Sequence, residues 1–387
     1  MKPHGDREND GKRALIIGLG VVGLPLAQRL AQAGWQLVLC DIDRVEWKNL
    51  TKQFWDAEHV GELKTRAAAA IIRRHAPDAR IALVEGDLRH LGVGFFQQVD
   101  LVAACVDNRA AERHAARLAA FAGKDFVRLA TRGEARVSDV TFVPGPRSPR
   151  DPCGLCTWSA DDYALADLRE SCFAEVEVNP DAGALTFAEH GTVAAAITAD
   201  ALLRGEIGPP RLVRFTGGPS PVTDTTAIPF SPGCRLGGDV RGVHGPIDHE
   251  VLLRSPSDLT VGEVVQDACE QLGSPIDRVL VELDSPVCRL RQCGQCGQTS
   301  AGFRAYSGVA CERCGGLIRQ ELEPAVSRCE AARLRELASS TFTHLGAPVG
   351  LGLRFSVREG ARRTWDVCLP ADVEEFLLNG SSEGQHG

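Results

Sequence analysis

Residues 14–23 read Ala-Leu-Ile-Ile-Gly18-Leu-Gly20-Val-Val-Gly23: a short apolar run that stops at the first of three glycines spaced G-x-G-x-x-G. An apolar run of this length, bounded by glycine, has the pattern of a buried strand. Residues 24–33 follow with helical spacing, Leu24, Leu26, Ala27, Leu30 and Ala31 falling on one face and Gly34 supplying a stop. Glycines between a strand and a helix permit a tight turn and close backbone approach. The free N–H groups and the dipole of the helix then favour an anionic phosphate. Glycines spaced this way also serve ordinary turns. The strand before and the helix after are what make Gly18, Gly20 and Gly23 a candidate phosphate loop.

The alternation continues. Residues 37–40 form a second apolar strand pattern ending at Asp41, 63–75 a helix, 81–84 a strand, 101–105 a strand, then an alanine-rich helix to about 122 and a strand over 126–130. Strands alternating with helices of this length predict an α/β, Rossmann-like, mainly parallel sheet covered on both faces. Residues 144–152 (PGPRSPRDP) form a breaker-rich loop. Beyond it, 161–170 is a short helix pattern, and 190–204 a helix of small residues able to pack closely on a sheet. The stretch 217–245, rich in Gly, Pro, Ser and Thr, is the expected domain boundary. It separates an N-terminal domain over 12–235 from a smaller C-terminal domain over 247–378, with 379–387 as a disordered tail. Within the second domain the pattern predicts helices over 258–272 and 321–337 around a cysteine cluster at 293–314.

At 387 residues the chain suits two or three domains at roughly 150 residues each. Hydrophobic residues make up 44% and charged residues 24%, enough apolar material for a sizeable core. The net charge of −8 argues against a nucleic-acid partner. Residues 1–12 lack the apolar segment of a secretory signal, and no run of 18 apolar residues predicts a membrane span. Fourteen cysteines without a signal point to metal or thiol chemistry in a reducing, cytoplasmic setting rather than to disulfides.

Asp41 stands where an acidic side chain accepts a ribose hydroxyl, although a cap or turn residue would look the same. To this point an NAD-dependent dehydrogenase fits as well as any nucleotide enzyme. The next residues separate the two. Asp41-Ile-Asp43-Arg-Val45-Glu-Trp-Lys-Asn49-Leu50-Thr-Lys52-Gln53 closely resembles the D-x-D-x-V-x-x-x-N-L-x-R-Q signature of the ThiF/MoeB/HesA family, adenylating enzymes related to ubiquitin-activating enzymes. Gly61-Glu-Leu-Lys64 resembles that family's G-x-x-K. Cys105-Val-Asp107-Asn108 resembles its D-N element after the fourth strand, and Cys153-x-x-Cys156 sits where many members carry half of a zinc site. The resemblance covers about 12–235. It implies that a ubiquitin-like or sulfur-carrier protein presents its C-terminal carboxylate to the α-phosphate of ATP, giving an acyl-adenylate and pyrophosphate. On that resemblance Asp41 holds the ribose, Asn49, Lys52, Gln53 and Lys64 line the phosphates, and Asp107 binds Mg²⁺. Cationic groups and Mg²⁺ there would stabilise the charge developing on pyrophosphate. Read alone, Lys64 is also an ordinary helix-start lysine and Asp107-Asn108 an N-cap pair. Lys52 departs from the family's arginine, keeping the charge but losing the bidentate fork. The resemblance further implies a homodimer, and a conjugating enzyme or sulfurtransferase as a later partner.

Cys293-x-x-Cys296 and Cys311-x-x-Cys314 form two C-x₂-C knuckles fourteen residues apart, the ligand pattern of a tetrahedral Zn²⁺. A redox dithiol pair is the alternative. Cys153, Cys156 and Cys234 make an incomplete second zinc set, with Cys172 the nearest fourth ligand. Cys172 is equally a candidate nucleophile for accepting an activated acyl group as a thioester. Cys40 and Cys105 fall within strand patterns and read as packing residues. His190 reads as a polar helix-start residue and Arg132 as a surface arginine near the strand ends. A non-catalytic nucleotide-binding scaffold with a zinc ribbon is the other function these patterns leave open.

Overall fold

The computed structural model describes residues 11–132, 135–148, 150–170, 188–234, 250–303, 311, 313–316, 318–322, 326–357 and 363–371. They fall into two compact units, one within 11–88 and 97–234, the other formed by 89–96 and 250–371.

The first unit opens with β1 (Arg13–Ile17), α1 (Gly23–Gln32), β2 (Gln36–Asp41), α2 (Lys64–His75) and β3 (Ile81–Glu85). The chain then contributes α3 (Val93–Phe96) to the second unit. The first unit resumes with β4 (Leu101–Ala104), α4 (Arg109–Phe121), β5 (Asp125–Arg132), β6 (Val137–Val143), α5 (Ala160–Glu170), α6 (Ala188–Leu203), β7 (Arg211–Thr216) and β8 (Val222–Ala227). Its sheet has the order β3-β2-β1-β4-β5-β6-β7-β8. The strands from β3 to β5 pair in parallel, and those from β5 to β8 antiparallel. The expected α/β, mainly parallel architecture is therefore what forms. Its continuous apolar strands follow from burial on both faces: Leu15, Val38 and Val102 are as inaccessible as their neighbours Ile16, Leu39 and Ala103. One face packs on α1, α2 and α6 through Leu24, Leu26, Leu30, Ile72 and Ala195. β6, β7 and β8 extend the sheet beyond the strands that the sequence pattern predicts. β8 lies inside the Gly/Pro/Ser/Thr-rich stretch expected to be a connector, and all six of its residues are exposed.

The second unit contains β9 (Glu250–Val251), α7 (Val261–Leu272), β10 (Val279–Cys293), β11 (Thr299–Phe303), β12 (Ile318–Glu321), β13 (Val326–Glu330), β14 (Gly352–Val357) and β15 (Thr364–Cys368). The long β10 is its spine, pairing antiparallel with β11, β12, β13 and β14. α7 begins at Val261, later than the expected 258, because Thr260 and Glu263 form a reciprocal capping box: the Thr260 hydroxyl accepts the Glu263 N–H at 3.3 Å and Glu263 Oε2 accepts the Thr260 N–H at 2.9 Å. The helix expected over 321–337 does not form. Instead β13 pairs with β10, placing Cys329 opposite Val281, and residues 331–337 wind as a 3-10 helix. The physical reason lies in the spacing. Ala331, Leu334 and Leu337 are buried three apart, the period of a 3-10 helix rather than of an α-helix, and Pro324 interrupts any helix starting at 321.

The segment 89–96 is held in this second unit by backbone contacts. Asp284 Oδ2 accepts the N–H groups of Val93 and Gly352, each at 2.8 Å, in a buried position. A Cβ on Gly92 would stand 2.4 Å from the Gly350 carbonyl oxygen, so glycine is required for the approach. Among the described residues no helix is long and apolar enough to cross a membrane. Asp284→Ala should cost about 2–4 kcal/mol, because it strands two buried donors; denaturant unfolding of the full chain measures this.

Candidate nucleotide and metal sites

The turn from β1 into α1 is built by backbone contact. Gly18 has φ +84°, and a Cβ there would lie 2.7 Å from the Cys105 carbonyl oxygen. A Cβ on Gly23 would lie 1.9 Å from the Gly18 carbonyl oxygen. Neither position admits a side chain. The Gly18 N–H donates to the Cys40 carbonyl at 2.9 Å and the Cys105 N–H to the Ile17 carbonyl at 2.8 Å, so β2 and β4 clamp the loop from either side. α1 has no side-chain cap and no acid in its first turn. Within α1 the Leu24 N–H donates to the Gly20 carbonyl at 3.3 Å and Pro25 has no N–H, so an anion here would be met by the amides of the turn over Gly20–Gly23.

The acid at the end of β2 is tied to this loop. Asp41 Oδ2 accepts the Leu19 N–H at 2.7 Å, and Oδ1 accepts the Asp43 N–H at 2.8 Å. Burial raises the Asp41 pKa, while the Lys64 cation and these two donors oppose the rise. The segment after β2 turns across the loop. Asn49 Oδ1 accepts the Glu46 N–H at 2.8 Å, and the Asn49 carbonyl accepts the Gln53 N–H at 2.8 Å. Gln53 Oε1 in turn accepts the Trp55 indole N–H at 2.6 Å, and its amide nitrogen would lie 3.6 Å from a Cβ on Gly20. Lys52 is exposed. Lys64 is the first residue of α2, is 7% exposed, and donates to Asp43 Oδ2 at 2.7 Å. Two residues past Cys105, Asp107 is exposed, and Asn108 caps α4 by accepting the Ala110 N–H at 2.9 Å. Asn108 is therefore the cap of this helix, and Asp107 is left to the solvent. Arg132 ends β5 with its side chain exposed, 4.0 Å from Asp139.

Three further residues shape this region. Asp43 was visible in the D-x-D motif but carried no role. Gly191, in the small-residue helix α6, rests on the phosphate loop: a Cβ there would meet the Val21 carbonyl oxygen at 2.2 Å. Glu112, buried in the alanine-rich α4, accepts from Arg109 at 2.7 Å, Arg128 at 2.7 Å and the Trp158 indole at 3.1 Å. It joins α4, β5 and the loop after Cys156. A glutamate in an alanine-rich helix gives no sequence sign of burial.

The cysteines assemble as two clusters. The sulfurs of Cys293, Cys296, Cys311 and Cys314 all lie within 4.8 Å of one another, with Cys293–Cys314 at 3.6 Å and Cys296–Cys311 at 3.7 Å. Tetrahedral zinc with Zn–S bonds of about 2.3 Å requires sulfurs about 3.8 Å apart, so the four thiols fit the ion. The N–H groups of Cys296 and Gln295 pull the Cys293 thiol down to about 7, toward the thiolate that a metal needs. Cys153, Cys156 and Cys234 form the second cluster, with Cys153–Cys156 at 3.9 Å and Cys153–Cys234 at 3.6 Å. Hydrogen bonds from the Cys153 and Cys234 thiols hold the Cys156 thiol low, toward the thiolate, while contact with Cys156 and Cys234 and burial push Cys153 upward. Cys172 lies outside the described residues. Cys40 is buried in β2, and Cys105 sits just past β4 under the phosphate loop, where burial pushes its thiol up to about 12. His190 lies in the first turn of α6 with Nδ1 3.3 Å from the Ser138 hydroxyl.

The family model described as the ThiF family matches residues 7–344 of the chain. SUMO-activating enzyme subunit 2 of Dictyostelium discoideum is 31% identical over 110 residues, 27% of this chain and 17% of that protein. The adenylyltransferase and sulfurtransferase uba4 of Aspergillus fumigatus is 28% identical over 222 residues, 56% of this chain and 44% of that protein. The chain thus spans less than half the length of these curated relatives. Among solved structures, that of E. coli MccB with ATP aligns over 58% of this chain and 65% of that one, at 18% identity and a TM-score of 0.43.

Two outcomes test the sites. Metal analysis of the purified chain should find at least one zinc per chain, with Cys311→Ser lowering the content by one equivalent. Gly191→Ala should displace the phosphate loop and weaken nucleotide binding by about tenfold or more, as the backbone overlap forces a shift that costs over 1 kcal/mol; calorimetric titration reads this directly.

Proposed function

The chain belongs to the ThiF family, and from that premise we propose that it catalyses ATP-dependent adenylation of the C-terminus of a ubiquitin-like or sulfur-carrier protein. The observation that carries the proposal is the buried ammonium of Lys64 at the start of α2, electrostatically coupled to Asp41 at the rim of the phosphate loop. A dinucleotide site of the dehydrogenase kind has no need of a buried cation there. A polyphosphate does, because its charge is high and rises further on the leaving pyrophosphate.

In this assignment Asp41 accepts from the ribose hydroxyls. The amides of the turn over Gly20–Gly23 and the side chains of Asn49, Lys52, Gln53 and Lys64 line the phosphates. Asp107 has an exposed carboxylate, and among the described residues it makes no ion pair. That is the donor set Mg²⁺ accepts when phosphates and water supply its other ligands. Bound there, Mg²⁺ would neutralise phosphate charge. The carrier's carboxylate oxygen attacks the α-phosphorus, the bond from that phosphorus to the bridging oxygen breaks, and pyrophosphate leaves with the electron pair. Holding the carboxylate and phosphate in line is the main task of the residues around them. Lys52 contributes charge but not the fork of an arginine. Cys172 is our candidate acceptor thiol for a following transfer, and the Cys293–Cys314 zinc ribbon our candidate surface for a later partner.

With a carrier protein ending in an accessible carboxylate, the chain should catalyse ATP–pyrophosphate exchange that depends on that carrier. Asp107→Ala and Lys64→Met should each lower the exchange rate by about a hundredfold or more. Exchange absent from the wild type with its carrier, or indifferent to both substitutions, contradicts the proposal.

A further inference from the structure

Lys64 is placed against the ordinary electrostatics of a helix. A cation in the first turn faces the positive end of the macrodipole, and this one is also nearly removed from water. Such a group needs an anion. Asp43 provides it, with Nζ to Oδ2 at 2.7 Å. The pairing is fixed by backbone as well. The Lys64 N–H donates to the Asp43 carbonyl at 2.9 Å, Arg44 and Leu63 form an antiparallel bridge, and the Val45 N–H donates to the Glu62 carbonyl at 2.9 Å. Residues 43–45 and 61–64 therefore form a small antiparallel frame that sets the lysine in place whatever the carboxylate does.

The pair is asymmetric. The Lys64 side chain is 9% exposed and the Asp43 side chain 58%. The carboxylate can rotate into water at little cost; the ammonium cannot follow. Asp41, the other carboxylate coupled to Lys64, is already engaged by the Leu19 and Asp43 N–H groups. We propose that Asp43 is a displaceable counter-ion, holding the buried Lys64 ammonium in the free protein and ceding it to the polyphosphate of ATP. This rests on the adenylation proposal and adds a positioning residue to the same site. Because Asp43 competes with the phosphates for one cation, it weakens ATP binding while keeping the empty site stable. Removing its charge leaves the buried cation with only the already engaged Asp41 carboxylate near it, so that the nucleotide's phosphates become its direct partner.

The test is calorimetric titration of the full chain with ATP and with adenosine, both in Mg²⁺. Asp43→Asn and Asp43→Ser should bind ATP about threefold to tenfold more tightly than wild type, with adenosine affinity unchanged. Asp43→Glu, which restores the charge, should return toward wild-type affinity. In a Lys64→Met background Asp43→Asn should make no difference. A purely structural role for Asp43 would move adenosine and ATP alike. If the wild type binds ATP but Asp43→Asn binds it equally or more weakly, the counter-ion assignment is overturned and the adenylation proposal stands. If the wild type binds no ATP, both fall.

Discussion

The candidate nucleotide site depends on a contact with no side chain in it. At the turn from β1 to α1, Gly23 lies on the carbonyl of Gly18, and Gly18 lies on the carbonyl of Cys105. A methyl group at either position would overlap backbone atoms that the sheet holds on both sides. The turn can therefore be this tight only because three strands, β2, β1 and β4, meet it in parallel register. α1 then starts directly from this turn with no side chain to cap it. Gly191 of α6 repeats the device from another direction by resting on the Val21 carbonyl.

Around this backbone frame the protein arranges charges that would be costly if unpaired. Buried Lys64 has Asp43, and buried Glu112 has two arginines and an indole N–H. The two cases differ in kind. Every partner of Glu112 is itself at least partly buried, which makes a structural joint between α4, β5 and the loop carrying Cys153 and Cys156. Lys64 is paired to a carboxylate that faces water, which leaves its charge available. Fully satisfied buried ions fix structure, whereas a buried ion with an exposed partner can change partners.

Much of the first unit could be read from sequence because its strands are buried on both faces and its helices are amphipathic, so apolar runs and helical periods alternate without ambiguity. The same applies to Cys293, Cys296, Cys311 and Cys314, whose spacing alone brings four sulfurs together. What escaped was information that is not local. β6 follows β5 and β8 follows β7 as near neighbours in the chain, and only the β6–β7 pairing is distant; polar residues interrupt each of these strands, and β8 is wholly exposed. The 326–337 segment carries a three-residue apolar period that resembles a helix until β10 claims its first half as a strand. The insertion of 89–96 into the second unit turns on two glycines and the Asp284 carboxylate, none of them distinctive in sequence. In the site, Asp41, Gln53 and Lys64 stood out by motif, but the partnership of Lys64 with Asp43 and the packing of Gly191 are matters of distance.

Adenylation turns most directly on which nucleotide the Gly18–Gly23 loop prefers. Competition binding of ATP with Mg²⁺ against NAD to the full wild-type chain decides it. The buried Lys64 and the exposed Asp107 predict that ATP binds and NAD does not displace it at comparable concentration. Tight binding of NAD that excludes ATP would contradict the account and return the loop to the dinucleotide class.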